Sequence, residues 1–177
     1  MTDSSVLRRD NCQLAEHEAW FKGKCCKHTL EPGLIVIDPV TDPLRYPDSS
    51  PWRSSFAIIY PDEMYIRIAE YYRQLSRSEG GGGCLEILAY HYGPCTDARD
   101  DKGFPVFSEE FELRIDIDRR YGRHIHYMKE DHIPEARLPG LDFDSIDPFK
   151  FIWAVEEHRR SLKPLHKILG FEVVPAK

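Results

Sequence analysis

Asp116, Asp118, His124 and His126 fall close together in the stretch Phe107 to Lys129, FSEEFELRIDIDRRYGRHIHYMK. A histidine beside a carboxylate can be held in one tautomer near a useful pKa, with a second histidine as its proton-exchanging partner. Cleavage of RNA through its 2′-hydroxyl needs such a pair, together with a cation such as Arg114 or Arg123 for charge developing on phosphorus. The same residues suit a metal, because His124-x-His126 on one strand face with Asp116 or Asp118 opposite offers nitrogen and oxygen ligands. A structural reading also stands: cross-strand charge pairs stabilise a hairpin by about 0.2–1 kcal/mol each without doing chemistry. A fourth reading is a recognition face for a protein partner, anchored by Tyr121, Tyr127 and Arg123.

These residues need a scaffold that presents them together, and the pattern around them supplies one. Phe111, Leu113, Ile115 and Ile117 alternate with Glu112, Arg114, Asp116 and Asp118, and Ile125 and Tyr127 alternate with His124 and His126. Arg120-Tyr121-Gly122 fits a three-residue hairpin loop with Gly122 in the left-handed position. That loop sets Arg119 opposite Arg123, Asp118 opposite His124, Asp116 opposite His126 and Ile117 opposite Ile125. The expected result is a hairpin with an apolar inner face and an open, solvated outer face carrying the charged row.

Residues 114–126, R-I-D-I-D-R-R-Y-G-R-H-I-H, resemble the hairpin of small bacterial toxins of the TumE kind: an Arg-x-Asp strand, a glycine turn and a His-x-His return. Phe149-Lys150-Phe151 is similar in position to the aromatic helix start of those proteins. The resemblance spans roughly residues 111–160. It implies a toxin–antitoxin or defence context, with Arg114, Asp116, His124 and His126 carried over. This chain departs from it in its extra N-terminal residues, the Pro-rich segment 133–147 and a more acidic balance.

The remaining chain reads as follows. Residues 1–22 are expected to carry an N-terminal helix, loosely docked. Cys25-Cys26-Lys27-His28, with Cys12, gathers metal-binding residue types, but its spacing matches no zinc motif and free or buried thiols are the simpler reading. Leu34–Ile37 and Ser55–Tyr60 read as strands separated by a loop with four prolines. Pro61-Asp62-Glu63 looks like a helix start, giving a helix to Arg77 that buries Met64, Ile68, Tyr71 or Tyr72, and Leu75. Four glycines, 80–83, lead into a strand, Cys84–Tyr90, and lack the Gly-Lys-Ser/Thr of a phosphate cradle. Residues 93–105 read as a mobile loop. His91 reads as a packed strand histidine, His158 as solvated, and Cys95 as a thiol without a base. Residues 130–147 should wrap the surface, where Asp131 and His132 can reach the hairpin's polar face. Asp147-Pro148 should start a helix burying Phe149, Ile152, Trp153 and Leu162, followed by a turn ending at Gly170 and an edge strand at Phe171–Val174.

The composition is ordinary for a globular chain, with 41% hydrophobic and 31% charged residues among 177. The net charge of −6 argues against a broad nucleic-acid-coating surface. No apolar run is long enough to span a membrane, and no apolar leader follows Met1, so the expected compartment is the cytosol, with reduced cysteines. The expected architecture is one α+β domain over residues 1–177: a mixed or mainly antiparallel sheet with about three helices on one face. The leading functional expectation is a hairpin face that binds or cleaves RNA, with neither metal nor cofactor. His124 and His126 serve there as the acid–base pair, Asp116 and Asp118 orient them, and Arg114, Arg123 and Tyr127 contact the substrate. The alternative is a non-catalytic interaction or assembly subunit that docks a protein partner on the open sheet face.

Overall fold

The computed structural model describes residues 8–9, 35–37, 52–74 and 76–176, apart from 80, 82, 102, 104 and 119. Its strands are β1 (Arg8–Arg9), β2 (Ile35–Ile37), β3 (Trp52–Ile59), β4 (Met64–Gln74), β5 (Gly83–Arg99), β6 (Pro105–Phe107), β7 (Leu113–Asp118), β8 (Gly122–Tyr127) and β9 (Glu130–Pro134). Two α-helices follow, α1 (Pro148–Ser161) and α2 (Leu165–Leu169). The strands form an antiparallel sheet ordered β2-β3-β4-β5-β7-β8-β9, with β1 and β6 also paired to β5. The fold is α+β and its sheet antiparallel, as expected, but the described residues hold two α-helices rather than about three.

The helix expected after Pro61 is the strand β4. Pro61-Asp62-Glu63 turns a hairpin instead: the Glu63 amide donates to the Tyr60 carbonyl at 3.0 Å and the Tyr60 amide to the Met64 carbonyl at 2.9 Å. Tyr65, Ile66 and Ile68 are aromatic or β-branched and favour the pleated state. Both faces of the sheet are covered here, with Tyr65 and Ala69 buried on one and Ile66 and Ile68 on the other. Covering both faces erases the polar–apolar alternation that marks a strand in sequence.

β5 runs through Arg99, so the first half of the expected loop 93–105 is strand, paired to β4 at Pro94 and to β6 at Cys95. Residues 130–134 also form a strand rather than a surface wrap. Arg8 and Arg9 pair with Cys84 and Gly83 and are not helical; the rest of the expected N-terminal helix, and Cys12, Cys25, Cys26 and His28, lie outside the described residues.

α1 starts as its sequence dictates, with the Asp147 side chain accepting from the Lys150 amide at 2.8 Å and Pro148 in the first turn. It buries Phe151, Ile152, Ala154 and Val155, while Trp153 and Leu162, expected inside, are 57% and 81% exposed. Phe171–Val174 is not a strand, although its Glu172 and Val174 amides donate to the Pro139 and Arg137 carbonyls at 3.1 and 2.9 Å.

The helices pack on one sheet face. Ile58, Ile66, Ile68, Tyr90, Ile115 and Ile125 meet Phe151, Val155, Leu165 and Phe171 in one apolar cluster. Residues of opposite parity project from the other face, and the charged row of the hairpin is among them.

Candidate functional site

The hairpin has the expected faces but a different register. Asp118 stands opposite Gly122, Asp116 opposite His124, Ile115 opposite Ile125 and Arg114 opposite His126. Gly122 is left-handed (φ 67°) as expected, yet it opens β8 instead of closing the loop. The Asp118 side chain explains this. Its Oδ1 accepts from the Arg120 and Tyr121 amides at 2.7 and 2.6 Å, and so tightens the turn one residue earlier than the sequence suggests. The offset is two residues in pairing, so every side chain keeps its face.

That face is not open. Asp116, His124 and His126 are 3%, 1% and 5% exposed. Phe111 packs edge-on to His126 at 5.3 Å between ring centroids, Tyr121 packs on His124 at 5.6 Å, and His132 stacks on His124 at 5.2 Å. His132 arrives from β9. Ile125 pairs with Ile133 and Tyr127 with Glu130, so Asp131 and His132 together oppose the single residue His126. This bulge, with His132 at φ 53°, brings to one side two neighbours that a regular strand would send to opposite faces.

The orientation of the rings follows from their hydrogen bonds. The Nδ1–H of His124 donates to the Gly122 carbonyl, and that of His126 to Asp131 Oδ1, both at 3.1 Å. Each ring therefore turns an Nε2 lone pair inward. Both lone pairs face Asp116 Oδ2, at 3.6 Å from His124 and 3.3 Å from His126. Arg114 Nε lies 2.7 Å from the same oxygen. Neither oxygen of Asp116 nor His126 Nε2 makes a properly angled hydrogen bond within the structure. Three acceptors thus converge in a buried space beside the Arg114 guanidinium, and a proton on His126 or a bound cation would satisfy the rest of them.

The titration tendencies reflect this crowding. Burial pushes the Asp116 carboxyl upward, but His126, Arg114 and His124 outweigh it and hold the carboxyl below its usual range. Burial also pulls His126 down, yet the Asp116 and Asp131 carboxylates prevail and raise it. His124 ends lower than usual because burial exceeds the help it receives from the Gly122 carbonyl and Asp116.

Among the described residues His124, His126 and His132 form a group with ligand atoms all within 4.8 Å of one another. An ion with bonds of about 2.0–2.1 Å in tetrahedral array separates its ligands by about 3.3–3.4 Å. The two Nε2-to-Asp116 distances already lie near that edge, while the exposed His132 lies within 4.8 Å of the two histidines in a group that does not include Asp116. Asp131 and the Gly122 carbonyl then fill the supporting role in which a second acceptor fixes each ligating imidazole.

Not every expected residue joins the cluster. Asp118 stands at its rim, 4.0 Å from His124 Nε2, and serves mainly the turn. Arg123 is on the helix-side face, opposite Ile117, and binds Glu135 at 3.3 Å and Asp144 at 2.6 Å. Tyr127 is on that face too, its hydroxyl 2.8 Å from His166 Nδ1. Their parity in β8 sends both away from His124 and His126.

The strand order adds residues the sequence did not single out for the site. Arg67 pairs with His91 and His91 with Arg114, which places all three in one row with His126. Tyr65 on the same face has its hydroxyl 2.9 Å from His91 Nδ1 and 3.0 Å from the Ser108 carbonyl, and the His91 Nε2–H donates to the Glu110 carbonyl at 3.1 Å. Alternation gave no signal for Tyr65 and Arg67, because this strand is covered on both faces and its buried residues run on through Tyr65, Ile66, Ile68 and Ala69. Comparisons with protein-family models, with curated proteins and with solved structures find no match.

Proposed function

We propose that this protein binds a divalent transition metal through His124, His126 and His132, with the Asp116 carboxylate as the fourth ligand. The observation that carries the reading is the convergence of two Nε2 lone pairs and one carboxylate oxygen, each ring fixed from behind by an acceptor on Nδ1. Imidazole-rich sites favour zinc, copper, iron or nickel over magnesium or calcium. An ion is also small enough to enter a space where the histidines are almost fully covered.

The test is metal content. Protein stripped with chelator and dialysed against zinc should retain one equivalent after gel filtration. His124→Ala and His126→Ala should each bring this below half an equivalent while circular dichroism shows the fold intact. Wild-type protein that stays folded and binds no ion would exclude the proposal.

A second reading keeps the histidines as a metal-free acid–base pair acting on RNA. The opposite tendencies of their pKa values favour it: His126 holds its proton while His124 gives its up, as a general acid and a general base require. It asks, however, that a ribose reach imidazoles that are 1% and 5% exposed. RNA cleavage that persists in chelator and is lost in His124→Ala would favour this reading over the metal one.

A further inference from the structure

We infer that the metal site is one half of a composite site, and that Arg114 and Arg67 form the other half by holding a phosphate-bearing ligand beside the ion. The inference rests on the metal reading and adds a ligand class to it.

Arg114 meets Asp116 through Nε, 2.7 Å from Oδ2. The two Nη groups of its guanidinium form the fork that grips an oxyanion with two parallel hydrogen bonds, and no other carboxylate pairs with them among the described residues. Its side chain is 36% exposed, against 4% for Asp116 and 7% for His126, so the fork faces the solvent side of an otherwise closed cluster. Arg67 stands in the same cross-strand row, two strands away or about 10 Å, with His91 between them. Arg67 has no ion-pair partner among the described residues, and its charge, like those of Arg114 and Asp116, is felt at His91.

Charge decides the class of ligand. A divalent ion beside Arg114 and Arg67 leaves the interior strongly positive, because Asp116 is the one buried carboxylate of the cluster among the described residues. Asp118 and Asp131 are more exposed and already committed, the first to turn amides and the second to His126. His91 adds no charge near neutral pH, since burial pulls its pKa down to about 4. A phosphate carries more charge than a carboxylate and has oxygens to share between an ion and a guanidinium fork. It fits better than a carboxylate of equal reach.

The test uses cobalt(II)-loaded full-length protein, whose visible spectrum reports the ion's ligands, titrated with inorganic phosphate or with acetate. Phosphate should change the spectrum saturably and bind at least about tenfold more tightly than acetate. Arg67→Ala and Arg114→Gln should each weaken phosphate by about tenfold per equivalent of bound cobalt. Cobalt that binds while phosphate leaves its spectrum unchanged would overturn the phosphate site and spare the metal reading. Acetate as effective as phosphate, or phosphate affinity indifferent to both substitutions, would overturn it as well. Protein that takes up no cobalt would remove both proposals together.

Discussion

Asp116 is the residue on which the polar face depends, because it is buried and meets three partners that compete for one oxygen. Its neighbours were legible in part: the alternation of residues 113–118 and 122–127 places Asp116, His124 and His126 on one face whatever the exact register. What alternation cannot convey is depth. The same row can lie in water or under Phe111, Tyr121 and His132, and only the fold decides which. Asp131 supports His126 from behind without belonging to the proposed ligand set, so Asp131→Ala should weaken zinc by about 10–100-fold while leaving one equivalent bound at saturating zinc. Equilibrium dialysis against a competing chelator measures this.

His91 gives a second prediction at this scale. Its pKa in the folded protein is depressed to about 4 by burial, with Arg114 and Arg67 acting in the same direction and the Glu110 carbonyl and Asp116 opposing. Below about pH 6.5 the unfolded chain takes up a proton that the folded protein refuses. Stability should therefore fall as pH drops from about 6.5 to about 4, by roughly 3 kcal/mol if His91 acts alone. His124 pushes the same way. His126 opposes, because its raised pKa contributes stability that is present below about pH 6.5 and lost as pH rises through the folded value. Urea midpoints across this range should show a shallower acid slope in His91→Gln than in wild type; equal slopes would refute the assignment.

At the scale of elements, two departures from regular geometry build the cluster. The first is the turn, where Asp118 captures two backbone amides and Gly122 takes the left-handed conformation. The sequence announces Gly122 but not the pairing it produces, because a three-residue loop can be placed at either of two adjacent positions and a side-chain hydrogen bond selects between them. Gly122→Ala should cost about 1–2 kcal/mol in a chemical melt, since an L side chain pays to adopt this conformation. The second is the β8–β9 bulge. Counting by twos along residues 130–134 puts Asp131 and His132 on opposite faces; the bulge puts both against His126. The reach of this segment toward the hairpin was readable from its composition and position, but the means was not. β4 shows the converse failure. Pro61 and two acids resemble a helix start, and a strand covered on both faces carries no alternation to contradict them.

At the scale of the molecule, the sheet separates two tasks. One face, with Ile66, Ile68, Tyr90, Ile115 and Ile125, packs under α1 and α2 and carries the apolar core. The other holds the histidines, Asp116 and the arginine row, and among the described residues none from α1 or α2 enters that group. A ligand there that binds only the folded protein should raise its stability by about 2.7 kcal/mol at about a hundred times Kd, which would appear as a zinc-dependent rise in Tm. The division of labour makes a sharper prediction. Phe151 is fully buried in α1, its ring 5.4 Å from that of Tyr90. Phe151→Ala should cost about 3–5 kcal/mol by leaving a cavity on the helix side. Zinc should still bind the folded fraction at one equivalent, with its intrinsic affinity nearly unchanged, because the proposed ligands are held by β7, β8 and β9. His124→Ala should do the reverse, removing the zinc-dependent part of the Tm while leaving the helix-side packing in place. A Phe151→Ala protein that is folded yet cannot hold zinc would mean that the two faces are coupled through the sheet, and that the site is positioned by the core as a whole rather than by its own three strands.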